Sequence, residues 1–115
     1  MKTVKLGIIT LILVFSSVTN VQSEYSMADY RKLKDDKQFD LYLGGYLMGI
    51  TAANTNLAVR KQPVLFCQPP KLTLNGSNIK QIVNGYWEQK SIARDESISF
   101  GLVALEALQD AFPCR

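Results

Sequence analysis

Two cysteines are the residues best equipped for chemistry in this chain: Cys67 in Phe66-Cys67-Gln68-Pro69, and Cys114 one residue from the end. A thiolate can act as a nucleophile, hold a metal, or join a second thiol. The chain has no histidine, which removes the commonest general base and metal ligand. The serines therefore lack a basic partner. Asp35-Asp36 and Asp95-Glu96 are adjacent pairs whose side chains diverge on a helix, so neither makes an acid–base pair. No glycine-rich phosphate loop follows a strand. The residues point away from an enzyme, with no catalytic group, no metal and no cofactor expected. The work falls to a binding surface.

The cysteines then become structural, and their compartment decides how. Lys2 and Lys5 form a positive start, and Leu6–Phe15 is an apolar run of ten without charge. Ser16–Ser23 is small and polar, ending in the acceptable cleavage site Val21-Gln22-Ser23. This order predicts a secretory signal peptide over residues 1–23 and an exported single domain over 24–115. Ten apolar residues are too few to span about 30 Å of hydrocarbon, so no membrane attachment is expected after cleavage. In an oxidising compartment, Cys67 and Cys114 are expected to bridge within the chain, the alternative being free or intermolecular thiols. Closing a loop of this size contributes about 4 kcal/mol in the chain-entropy account. Removing Lys2 and Lys5 from the 13 basic groups leaves 11 against 10 acidic ones, a net charge of +1. Nothing in that balance suggests nucleic acid as a partner.

Helices must position these cysteines. Ile98, Leu102, Leu105 and Phe112 fall at helical spacing, widened by Ala104, Ala107, Leu108 and Ala111, with Ser99, Glu106 and Asp110 opposite. Asp95 is a plausible N-cap for this last helix, and Pro113 stops it. A short first helix is expected near Met27–Lys34. The longest pattern, Gln38–Arg60, has Phe39, Leu43, Tyr46, Ile50 and Leu57 on one face. Lys61–Leu72 carries Pro63, Pro69 and Pro70, which forbid a helix and favour an extended crossing. Asn75-Gly76 reads as a turn, and Asn75-Gly76-Ser77 also matches a glycosylation acceptor. Ile79, Ile82, Val83, Tyr86 and Trp87 mark a helix over about Ser77–Gln89, with Ser77 as its N-cap. No alternating strand pattern is present. The predicted fold is all-α: four helices, one proline-rich crossing loop and one disulfide.

Within the long helix, Gly45, Gly49 and Ala53 recur every four residues. Glycine inside a helix costs about 1 kcal/mol against alanine, so something should offset it. Either another part of the monomer packs closely there, or a second copy does, making a dimer seam.

The order Tyr42-Leu43-x-Gly45-x-x-x-Gly49-Ile50, Phe66-Cys67-x-Pro69, a helix reaching Tyr86-Trp87, then Ala104–Leu108 and Ala111-Phe112-Pro113-Cys114 resembles the Rap/Tai family of type VI secretion immunity proteins. The resemblance covers about Leu41–Cys114. One departure is Asn78, where the family has glutamine at the start of the third helix; Gly85 and Gly101 are also less usual. The resemblance implies a small helical protein of the Gram-negative periplasm, usually a homodimer. It implies an intramolecular Cys67–Cys114 disulfide. It also implies a partner, a cognate peptidoglycan-cleaving amidase effector with a cysteine–histidine site, occluded by the immunity protein. The loop expected to enter that cleft, between two well-marked helices, is Lys90, Ser91, Ile92, Ala93, Arg94, Asp95 and Glu96, with Ile92 as an apolar plug; the alternative is an ordinary solvated loop. Other readings of a small exported helical protein with one disulfide are an acid-stress chaperone of the HdeA type and an inhibitor of host lysozyme. Without histidine, the chaperone's trigger would be carboxylate protonation below about pH 5.

Overall fold

Each helix begins where a short polar side chain can take a backbone N–H that the helix itself leaves unpaired. The computed structural model describes residues 24–90 and 95–115; the expected signal peptide lies outside the described residues. Four helices are described: α1 (Met27–Leu33), α2 (Lys37–Val59), α3 (Gly76–Gln89) and α4 (Phe100–Ala111). Ser26 caps α1 in a reciprocal box with Asp29. Asp36 caps α2 through the N–H of Gln38. Asn75 caps α3, and Asn78 answers by accepting from the Asn75 N–H. Ser99 caps α4 through the N–H of Leu102. Among the described residues there is no strand, only one antiparallel bridge between Ser26 and Ser99. The all-α fold with its single staple is therefore as the sequence predicts.

Two helix starts differ from expectation. Asp95 does not cap the last helix: its carboxylate accepts from the N–H and hydroxyl of Ser97, closing a local turn four residues earlier. The third helix starts one residue before Ser77, because Asn75 reaches the N3 amide with its own side chain. The Asn75-Gly76 signal is thus a helix entrance rather than a free turn.

The phase of α4 also differs. Its buried residues are Phe100, Val103, Ala104, Ala107 and Leu108. Leu102 is 47% exposed, and Ile98, Leu105 and Phe112 pack only against the edge of the core. Nearly every position of this helix is apolar, so spacing alone does not choose the face; the cap and the bridge at Ser99 do.

The core joins these residues to Met27 and Tyr30 of α1, Phe39, Leu43 and Leu47 of α2, Ile79 and Val83 of α3, and Phe66 of the crossing. The tightest packing is between α3 and α4, with α4 also meeting α1. At the start of α4, Phe100 sits amid Tyr30, Phe39, Tyr42 and Tyr46, with ring centroids 4.8–6.3 Å away. Offset and edge-on rings at this spacing add to plain burial.

The crossing is held from two sides. Asn54 of α2 donates to the Phe66 carbonyl (2.8 Å) and accepts from the Leu65 N–H (2.6 Å). Opposite, the Cys67 N–H donates to the Phe112 carbonyl at 2.8 Å, and Cys67 and Cys114 are disulfide-bonded with Cα atoms 5.0 Å apart. Phe66, between these clasps, is buried.

Candidate functional site

Two surfaces arise from this frame. The first is the junction around residues 90–96. Its near end is Lys90, whose N–H closes α3 on the Tyr86 carbonyl and whose ammonium lies 3.6 Å from Asp110 of α4. Residues 91–94, with Ile92 and Arg94, lie outside the described residues. The far end is Asp95, whose carboxyl is held below its usual range by the Ser97 hydroxyl and N–H. Glu96 then pairs with Arg31 of α1, and its carbonyl accepts from the Ala28 N–H. The structure thus ties Lys90 to α4 and Glu96 to α1, while Asp95 is held locally by Ser97.

The second surface is the outer side of α2. Gly45, Gly49 and Ala53 are all exposed. A Cβ built on Gly45 or Gly49 would meet nothing within 4 Å. Close packing inside the monomer therefore does not account for these glycines. Leu41, Met48 and Val59, which the sequence reading passed over, stand 79%, 76% and 76% exposed on the same helix. The signal that could have found them is the run Leu41–Val59 itself: nineteen residues without one charge. A groove beside this side is lined by Met48, Ala52, Thr55, Val59 and Leu74. A second, between α2 and α4, is lined by Tyr42, Gly45, Gly49, Leu102 and Leu105.

Gly101 does have a packing reason. A Cβ there would come within 3.3 Å of the Tyr46 ring, and the Tyr46 hydroxyl donates to the Gly101 carbonyl at 2.8 Å. Burial, with a smaller contribution from neighbouring Tyr42, pushes the Tyr46 phenol well above its ordinary range, so it stays a neutral donor. Asn78 is equally explained: it completes the α3 cap and donates to the Thr73 carbonyl. Among the described residues, no three His, Cys, Asp or Glu side chains come together in a way that could hold a metal ion. Both surfaces are suited to protein contact: one is polar and tethered, the other apolar and broad.

A family model for Rap1a immunity proteins matches residues 24–114. No curated protein matches the chain. No solved structure matches it either.

Proposed function

We propose that the chain, which belongs to the Rap1a immunity protein family, is a periplasmic inhibitor that plugs the cleft of a type VI peptidoglycan amidase effector. Membership implies a type VI effector immunity role and a cognate effector protein as partner, and it suggests inhibition rather than catalysis. The observation that carries the finer reading is the pinning of both ends of the 90–96 segment. Lys90 is tied to Asp110, Asp95 to Ser97, and Glu96 to Arg31. A loop anchored at both feet loses less conformational freedom on entering a cleft than a free one. Export with cleavage near Ser23 is read from the positive start and apolar run of the first residues. The family match favours this reading over the acid-stress chaperone. The inhibitor acts as a homodimer.

The test is capture from periplasmic and secreted fractions with the 24–115 protein as bait. One cysteine amidase in a stable complex, inhibited on binding, is the expected outcome. Ile92→Ala with Arg94→Ala should raise its Kd at least tenfold, about 1.4 kcal/mol. Unchanged affinity would place the plug elsewhere.

A further inference from the structure

The disulfide lies at the surface, outside the core that it staples. Cys67 and Cys114 are both exposed, whereas Phe66, next to Cys67, is 1% exposed. Cys67 also lines a groove of about 350 Å³ between α2 and the crossing, walled by Thr51, Asn54, Ala58 and Gln68. Among the described residues, Cys114 is not one of its walls. A thiol can therefore reach Cys67 through the groove without displacing any part of the core.

Hydrogen bonds that use no sulfur hold the crossing around this bridge. Asn54 clasps the Phe66 carbonyl and the Leu65 N–H, and Gln109 of α4 donates to the Leu65 carbonyl at 3.2 Å. The Cys67 N–H donates to the Phe112 carbonyl at 2.8 Å, which keeps Cys67 beside the end of α4. All of these contacts remain available when the bridge is open. Beyond Phe112 the situation is different: among the described residues, no backbone hydrogen bond holds Pro113, Cys114 or Arg115. The bridge therefore restrains residues 113–115, while the crossing has a second set of ties.

We propose that Cys67–Cys114 is a thiol–disulfide exchange site that opens and closes in the folded protein, and that its reactant is a protein dithiol whose attacking sulfur enters the groove beside Cys67. Exposed disulfides are the labile ones, and exchange runs through attack of a thiolate on one sulfur of the bond. A groove that reaches Cys67 but not Cys114 selects Cys67 as the sulfur attacked. The incoming thiolate bonds to Cys67 Sγ. The Cys67–Cys114 bond breaks, and its electron pair leaves on Cys114, which takes a proton from water. The second thiol of the reactant, as its thiolate, then attacks the reactant's own bonded sulfur and expels Cys67 as a thiolate. The reactant loses two electrons and becomes a disulfide; the bridge gains them and becomes two thiols. In reverse, a reactant carrying a disulfide closes the bridge through the same mixed disulfide at Cys67. The contacts around Phe66 keep Cys67 and Cys114 near each other throughout, which gives the closing step a high effective concentration. Disulfide transfer to an already folded chain is thus the class of reaction that installs this bridge. The inference goes beyond effector inhibition and rests on none of it.

The test uses the 24–115 protein without denaturant. Dithiothreitol is the probe, and free thiols are counted after acid quenching. A tenfold rise in dithiothreitol should raise the reduction rate about tenfold, because a reachable bond is attacked directly. The helical circular dichroism spectrum should be retained. Glutathione, a monothiol, traps the first step; at early times its adduct should lie on Cys67 at least about fivefold over Cys114. Ala58→Trp places a ring in the groove and should slow reduction at least about fivefold, with an unchanged circular dichroism spectrum. A reduction rate independent of dithiothreitol would mean that the bond opens only on unfolding, and would overturn the proposal. Loss of the helical spectrum on reduction would do the same. Adducts shared equally, or found mainly on Cys114, would overturn the route. An unchanged rate in a folded Ala58→Trp protein would overturn the groove. The adduct map is made on the unaltered chain, so it decides the route even where Ala58→Trp does not fold.

Discussion

Ser26 and Ser99, the residues that cap α1 and α4, lie opposite each other in a single antiparallel bridge. The Phe100 N–H donates to the Tyr25 carbonyl at 2.8 Å, and the Met27 N–H to the Ile98 carbonyl at 2.9 Å. Two helix entrances seventy-odd residues apart are therefore one structural unit. Ser26→Ala removes the cap of α1 and frees the Asp29 carboxylate; a loss of about 1 kcal/mol is expected. In a domain of this size that lowers Tm by about 4–8 °C, readable by thermal unfolding.

Asn54 offers a sharper test, because it satisfies two backbone groups of the crossing at once. Asn54→Ala should cost about 1–3 kcal/mol by leaving the Leu65 N–H and Phe66 carbonyl without these partners. Urea unfolding would show it. Replacing Cys67 and Cys114 together by Ala should cost about 2–5 kcal/mol, and the two losses should be less than additive because both loosen Phe66.

Lys61 is the one non-glycine residue with positive φ (56°) among the described residues. It stands just past α2, where its N–H donates to Ala58 and the Gln62 N–H to Leu57, the double closure that glycine favours. Lys61→Gly relieves a left-handed conformation costing about 1–2 kcal/mol, partly offset by the greater freedom of glycine when unfolded. A net gain of up to about 1 kcal/mol in chemical denaturation is expected.

Gly44 and Gly101 should respond in opposite directions. Gly44 is exposed, and a Cβ there meets nothing within 4 Å. Gly44→Ala should stabilise by about 0.5–1 kcal/mol through helix propensity. Gly101→Ala presses on the Tyr46 ring and its hydrogen bond, so a loss of about 1–3 kcal/mol is expected. Paired denaturation curves would separate the two.

The pH profile should be flat through neutrality and fall at both ends. Asp29 and Asp95 have carboxyls held below their usual range, by Ser26 and Ser97 respectively. A depressed carboxyl contributes stability above its unfolded value, near pH 4, and that contribution is lost as pH falls through the lower folded value. Tyr30, Tyr42 and Tyr46 have phenols raised chiefly by burial. Their contribution is complete below about pH 10 and is lost as pH rises through the higher folded values. Circular dichroism melts from pH 3 to 11 would check both limbs. An acid-stress chaperone would also have to suppress aggregation of unrelated proteins on the acid limb.

Element order was legible because Phe39, Leu43 and Tyr46, like Ile79 and Val83, repeat at helical spacing between prolines and short polar caps; Leu47, also buried, was missed. The face of α4 was not, since apolar residues surround that helix and the deciding contact is Ser99 with Ser26, distant in sequence. Asp95 and Ser99 are both good cap residues; only Asp95's use by Ser97 settles between them. The cysteine pairing followed from compartment and count. The open surroundings of Gly45 and Gly49 required knowing what lies across from them, which depends on the whole packing.

α4 is clasped at its head by residues 25–26 and just beyond its tail by Cys67, and it also supplies the centre of the core. Without α4, Tyr30 and Phe39 lose Phe100, the ring that both pack against. α3 likewise loses the helix it packs against most closely. The second half of the chain is thus where both clasps and the aromatic cluster meet, so a lesion in α4 reaches every other helix.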